Sequence, residues 1–197
     1  MCGLLGMLAA TGDVDKYVDA LERSLPCMRH RGPDAAGTWH DGDAAFGFNR
    51  LSIIDLEHSH QPLRWGPEDQ PDRYAMTFNG EIYNYVELRE ELKGLGYTFH
   101  TEGDGEPIVV GYHHWGKDVV NHLRGMFGIV IWDTHTKTMF AARDQFGIKP
   151  LYYATTDAGT VFASEMKCIL EMADEIGLEL NLDPVSYTHL RAHETVL

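Results

Sequence analysis

The chain has 197 residues, with 16 Lys and Arg against 30 Asp and Glu, giving a formal net charge of −14. That length suits one domain, with two small ones as the fallback, and it is enough chain to bury a core without disulfide staples. A 44% hydrophobic and 23% charged composition excludes a disordered or fibrous chain, and the acidic balance argues against nucleic-acid and membrane-surface partners.

Taken in chain order, the apolar run Leu4–Leu8 has no basic residues before it and reads as a buried first strand, not a signal peptide. Val14, Tyr17, Val18, Leu21 and Leu25 then fall on one face of an amphipathic helix whose last turn Pro26 should disturb. Gly32-Pro33-Asp34 reads as a turn. Residues 44–54 and 74–78 read as strands, separated by a polar loop containing Pro62, Pro67 and Pro71. Leu88, Leu92 and Leu95 mark a second helix, with Val86 at its margin and Gly94 and Gly96 at its end. A third helix is expected over 106–115, starting near Pro107. Strands follow at 127–132 and 138–143, joined by a polar turn. After a loop over 144–150, a hairpin spans 151–154 and 160–163 around Asp157-Ala158-Gly159. Met166, Ile169, Leu170 and Ala173 predict a last helix. Clustered strands with hairpin links indicate a layered α+β protein, not a parallel βαβ sheet. The segment 186–197 carries no apolar stripe and is expected to lie outside the domain, as truncated linker or foreign sequence. No run of about 18 apolar residues predicts a membrane span.

Several residues stand out chemically. The widely spaced Cys2, Cys27 and Cys168 form no CxxC pair and no complete disulfide framework, which points to a reducing cytoplasm. Cys2 reads either as a small apolar residue opening a buried strand or, once Met1 is removed, as a thiol nucleophile beside its own α-amine base. Asn79-Gly80-Glu81 resembles a hairpin turn, yet a helix follows instead of a matching strand. A side-chain amide and a glycine N–H at a strand end can instead aim two donors at an oxyanion. Arg50, inside an apolar stretch, needs a carboxylate from protein or substrate. Asp104, between two glycines, either receives a ligand ammonium or caps the following helix. The SxxK pattern of Ser164–Lys167 lacks its companion motifs and reads as a helix start. The eleven histidines form no metal-binding pattern, and neither a Walker A loop nor GxGxxG is present.

The segments CGLLG (2–6), RHRGPDAAG (29–37), NRLSIID (49–55), NGEIYNY (79–85), GDGE (103–106), RDQFGIKPLYY (143–153) and SEMK (164–167) follow one another in a recognisable order. Together they resemble the N-terminal glutaminase domain of glutamine-dependent asparagine synthetases, over residues 2–183, leaving 184–197 as a tail. The resemblance implies a four-layer αββα N-terminal-nucleophile hydrolase sandwich of two antiparallel sheets. It implies L-glutamine as substrate and Cys2, Asn79 and Gly80 as catalytic residues. Arg50 would bind the α-carboxylate, Glu81 and Asp104 the α-ammonium, and the backbone of Leu51, Ser52, Ile53 and Ile54 would line the site. The loop bearing Arg31 would close over it. No cofactor or metal is implied for this chain. ATP and Mg belong to a C-terminal synthetase domain that would make asparagine and whose SGGxDS loop is missing here. Other acceptors, another amidotransferase branch, a homodimer and an inactive interaction module stay open at this point.

Overall fold

The apolar run at the start of the chain forms β1 (Gly3–Ala9), which lies at the centre of a sheet covered on both faces. The computed structural model describes residues 1–55 and 58–179; the tail at 184–197 lies outside them. Strand alternation splits β1 between two cores: Leu5, Met7 and Ala9 face helices, while Leu4 and Leu8 face a second sheet. The remaining elements are α1 (Asp15–Ser24), β2 (Ala35–His40), β3 (Ala44–Arg50), β4 (Leu63–Trp65), β5 (Tyr74–Ile82), α2 (Tyr85–Gly94) and α3 (Glu106–Trp115). Then come β6 (Gly125–Asp133), β7 (Thr138–Arg143), β8 (Tyr152–Thr156), β9 (Gly159–Ala163) and α4 (Met166–Glu171).

The strands make two antiparallel sheets, one ordered β2-β3-β1-β9-β8 and the other β4-β5-β6-β7. The first sheet packs α1 and α4 on its outer face through Tyr17, Leu21, Cys168 and Ile169. The second packs α2 and α3 through Leu88, Leu92, Ile108 and Val109. Between the sheets Leu4, Phe46 and Phe48 meet Ala75, Val130 and Trp132. This is the expected four-layer α+β sandwich. Gly6 is required in the middle layer, because a Cβ there would come within 2.8 Å of the Phe46 ring.

Several local expectations are corrected. Strands β2 and β4 are absent from the periodicity reading. β2 is largely exposed at an edge and β4 is three residues long, so neither carries an apolar alternation strong enough to read. The strand expected to reach residue 54 stops at Arg50. The turn placed at Gly32-Pro33-Asp34 lies earlier, where the Arg31 and Gly32 amides donate to the Met28 and Arg29 carbonyls. Pro26 does end α1, which tightens into a 3-10 turn over Leu25–Met28. Leu95 is exposed because α2 ends at Gly94 and the chain leaves the helical stripe. In α4 and the turn after it the buried residues are Cys168, Ile169, Met172 and Ala173, with Met166 and Leu170 turned outward.

Phe46 is fully buried where the two sheets meet. Phe46→Ala should lower unfolding free energy by about 3–5 kcal/mol, read as a reduced urea midpoint at unchanged slope.

Candidate active site

The register of the first sheet pairs Gly3 with Asn49 and so brings Cys2, at the end of β1, beside Arg50 and Leu51. The Leu51 N–H donates to Cys2 Sγ at 3.4 Å, and the thiol lies 3.5 Å from the Leu51 carbonyl oxygen. The Cys2 carbonyl accepts a hydrogen bond from Arg31 Nε at 3.0 Å. Arg31 is 9% exposed and pairs with Glu165 at 2.7 Å. It thus braces the strand that carries Cys2. Burial pushes the Cys2 thiol up, opposed by the Leu51 amide and the nearby Arg50 charge. A thiol so placed is neutral at pH 7 and needs a base to react.

Asn79, Gly80 and Glu81 do not follow β5 as the sequence reading placed them; they lie within it, opposite Gly128, Phe127 and Met126 of β6. The Tyr83 amide donates to the Arg124 carbonyl, so the odd-numbered residues of this stretch bond to β6 and the even-numbered ones face the other edge. Along that edge Phe78 N–H donates to Gln61 Oε1 at 2.6 Å and Ile82 N–H donates to Asp104 Oδ2 at 3.0 Å. The Gly80 N–H lies between them. Phe127, opposite Gly80, directs its own N–H and C=O to Asp144 instead.

β4 pairs only with Tyr74–Met76, and at the next bonding position, Phe78, a side chain takes the place of the backbone ladder. The Gln61 side-chain amide supplies one further rung by also donating to the Phe78 carbonyl at 3.0 Å. Beyond that rung Gly80 meets a cavity of about 270 Å³. Glycine is required there, because a Cβ would collide with the Met126 carbonyl oxygen.

Cys2, Arg50, Leu51, Ile53, Ile54, Asn79, Gly80, Glu81 and Asp104 all line this cavity, as the sequence reading expected. Ser52 does not: its N–H donates to Asp34 Oδ2 at 2.8 Å, on the outside of the loop. Arg50 is buried and donates to the Asp55 carbonyl at 2.6 Å, holding the loop that lines the cavity. Asp104 caps nothing; it accepts the Ile82 amide, and burial, with Glu81 nearby, pushes its carboxyl up. Asn79 is fully buried, with Nδ2 donating to Ser164 Oγ at 3.4 Å and Oδ1 unpartnered among the described residues.

Sequence reasoning missed the supports. Asp55, in a left-handed conformation (φ 46°), accepts the Glu102 amide at 2.8 Å, the His58 amide at 3.1 Å and the Ser59 hydroxyl at 3.1 Å. Against a burial that would raise it, these bonds hold its carboxyl down at about 2. Asp55 thus ties the loop after Arg50 to the loop before Asp104. Gln61 and Lys149 also line the cavity, and neither has a pattern that a single sequence could reveal. Among the described residues no group of three or more His, Cys, Asp or Glu side chains is arranged to hold a metal ion, and no helix is long and apolar enough to cross a membrane.

Known proteins share both this sequence and this fold. A putative glutamine-hydrolysing asparagine synthetase of Mycobacterium bovis is 53% identical over 96% of the chain. Asparagine synthetase 1 of Bacillus subtilis is 42% identical over 91%. The chain spans only 31% and 28% of those relatives' lengths. The glutamine phosphoribosylpyrophosphate amidotransferase structure from B. subtilis superimposes with a TM-score of 0.65 at 21% identity. It covers 89% of this chain and 44% of its own, which shows a shared fold. The family model for the glutamine amidotransferase domain matches residues 1–195. The chain is a member of the glutamine amidotransferase domain family.

Proposed function

We propose that this domain hydrolyses L-glutamine to glutamate and ammonia, with Cys2 as nucleophile once Met1 is removed. The observation that carries the reading is the convergence of the Cys2 thiol, the Asn79 amide and the Gly80 edge on one cavity that also holds Arg50, Glu81 and Asp104. The α-amine released on Cys2, with an ordinary pKa of about 7.7–8.0, takes the thiol proton as Sγ attacks the side-chain amide carbon of glutamine. Asn79 Nδ2 and the Gly80 N–H hold the oxyanion of the tetrahedral intermediate. Collapse expels ammonia, which carries away the shuttled proton, and leaves a glutamyl thioester. Water then attacks the thioester, releasing glutamate and restoring the thiol.

Arg50 binds the α-carboxylate, while Glu81 and Asp104 receive the α-ammonium. The raised Asp104 carboxyl is satisfied by that cation, whose arrival favours its ionised form. Opposite charges on either side of the α-carbon select free glutamine over glutamine within a peptide.

In the full-length protein, the ammonia is destined for ATP- and Mg-dependent amidation of aspartate in a further synthetase domain. The names of the M. bovis and B. subtilis relatives and the third of their length that this chain spans support that reading. The chain after β7 exposes Phe146, Ile148, Tyr152 and Tyr153, apolar surface that such a domain could cover. Free cysteines throughout fit a cytoplasmic protein.

Glutamate release from glutamine should be measurable in the Met1-processed chain and absent in Cys2→Ala. Asn79→Ala should lower kcat by about 10²–10³-fold, the usual cost of losing an oxyanion donor, with a smaller change in KM. Persistent release in Cys2→Ala would exclude the thioester route. The raised thiol makes a second prediction. Alkylation of Cys2 in the chain retaining Met1, followed by mass spectrometry against pH, should have its midpoint above that of an unfolded control. A midpoint at or below the control would contradict the burial.

A further inference from the structure

Ser164 lies outside every role assigned so far, yet it touches both Asn79 and the strand that carries Cys2. It follows β9 directly and is 1% exposed. Its N–H donates to the Leu4 carbonyl at 2.9 Å, which extends the pairing of β9 with β1 to within two residues of Cys2. Its Oγ accepts the Leu4 N–H at 3.2 Å from the first sheet and Asn79 Nδ2 at 3.4 Å from the second. The next residue, Glu165, pairs with Arg31, which in turn holds the Cys2 carbonyl.

Leu4 N–H and Asn79 Nδ2 both donate to the hydroxyl, which leaves the second Nδ2 proton for the cavity. Asn79 Oδ1 stays buried with no donor among the described residues. An amide with one buried unsatisfied end has reason to move, and its bond to Ser164 Oγ, itself tied to the Leu4 amide, opposes that movement.

We propose that Ser164 is a positioning residue for the oxyanion hole: its hydroxyl fixes the orientation of the Asn79 amide and registers it against the strand that carries Cys2. The proposal rests on the glutaminase reading above. Ser164 touches neither substrate nor the reacting atoms, so its effect falls on the transition state more than on glutamine binding.

The experiment compares wild type, Ser164→Ala, Asn79→Ala and the double variant in glutamate release, alongside the rate of Cys2 alkylation by iodoacetamide read on the Cys2 peptide. The proposal expects Ser164→Ala to lower kcat by about 10–100-fold with KM changed less than about threefold, since small misplacement of a catalytic group costs that much. It expects alkylation within about twofold of wild type, and no further loss when Ser164→Ala is added to Asn79→Ala. Ser164→Cys, close in size but a poorer acceptor, should reproduce the pattern if the alanine variant does not fold. Multiplicative losses in the double variant, alkylation falling in parallel with kcat, or an unchanged kcat would each overturn it. Failure of the glutaminase reading looks different: wild type itself would then release no glutamate, or release would survive Cys2→Ala.

Discussion

The contact between the two sheets fixes everything at the site. Cys2 belongs to the end of β1 in one sheet and Asn79 to β5 in the other, with no backbone ladder joining them. Their separation is set by the thickness of the layer formed by Leu4, Phe46 and Phe48 against Ala75, Val130 and Trp132. Protein interiors are packed to crystal-like density, so such a layer is hard to compress or expand. The proposed nucleophile and oxyanion donor, on its opposite walls, therefore inherit a spacing that neither strand could impose alone. Gly6 contributes by leaving room for the Phe46 ring, and Ser164 adds a polar tie across the same boundary.

The second constraint is how a sheet ends. An open strand edge is a liability, since unpaired amides invite another strand. Here the exposed stretch is short and defined. β4 begins only at Leu63, Gln61 imitates one rung with its side chain, and Asp104 accepts the Ile82 amide one rung beyond Gly80. The amide left between these two closures faces the cavity. The fold thus makes an anion-directed donor from ordinary β geometry, without a helix terminus or a charged side chain.

Much of this was legible in the sequence. The burial of β1, the stripe of α1 and the limits of α3 follow from periodicity, and most residues of the cavity wall are those that the family resemblance implied. The misreadings have a common cause. Asn-Gly is a strong turn signal because of its backbone freedom, but Gly80 is glycine for lack of space against Met126, which only the paired strand reveals. Ser52 was grouped with its neighbours, yet a chain leaving a strand turns successive residues to different sides, and its amide meets Asp34. Arg31, Asp55 and Ser164 act through partners 29, 47 and 85 residues away. Such pairings leave no local pattern.

The buried polar groups show what this architecture gives up. Asn79 Oδ1 lacks a donor among the described residues, the Cys2 thiol is held in its neutral form by burial, and Asp104 is pushed toward protonation. The unsatisfied amide oxygen and the buried Asp104 carboxyl are unfavourable for stability, and all three residues line the same cavity, whereas the carboxylates that only support the loops are held in their charged form. Asp55 is down at about 2, and Asp144, despite its burial, is lowered by four backbone amides. The contrast sorts the acidic groups by task. Those that organise the backbone are saturated with donors and rigid, while those on the cavity wall keep unsatisfied capacity that only a bound molecule can meet. In the proposed reaction a zwitterionic amide supplies what is lacking: an ammonium for Glu81 and Asp104, and a carbonyl carbon for Cys2. Under that proposal, binding relieves an electrostatic penalty that folding left in place at Asp104.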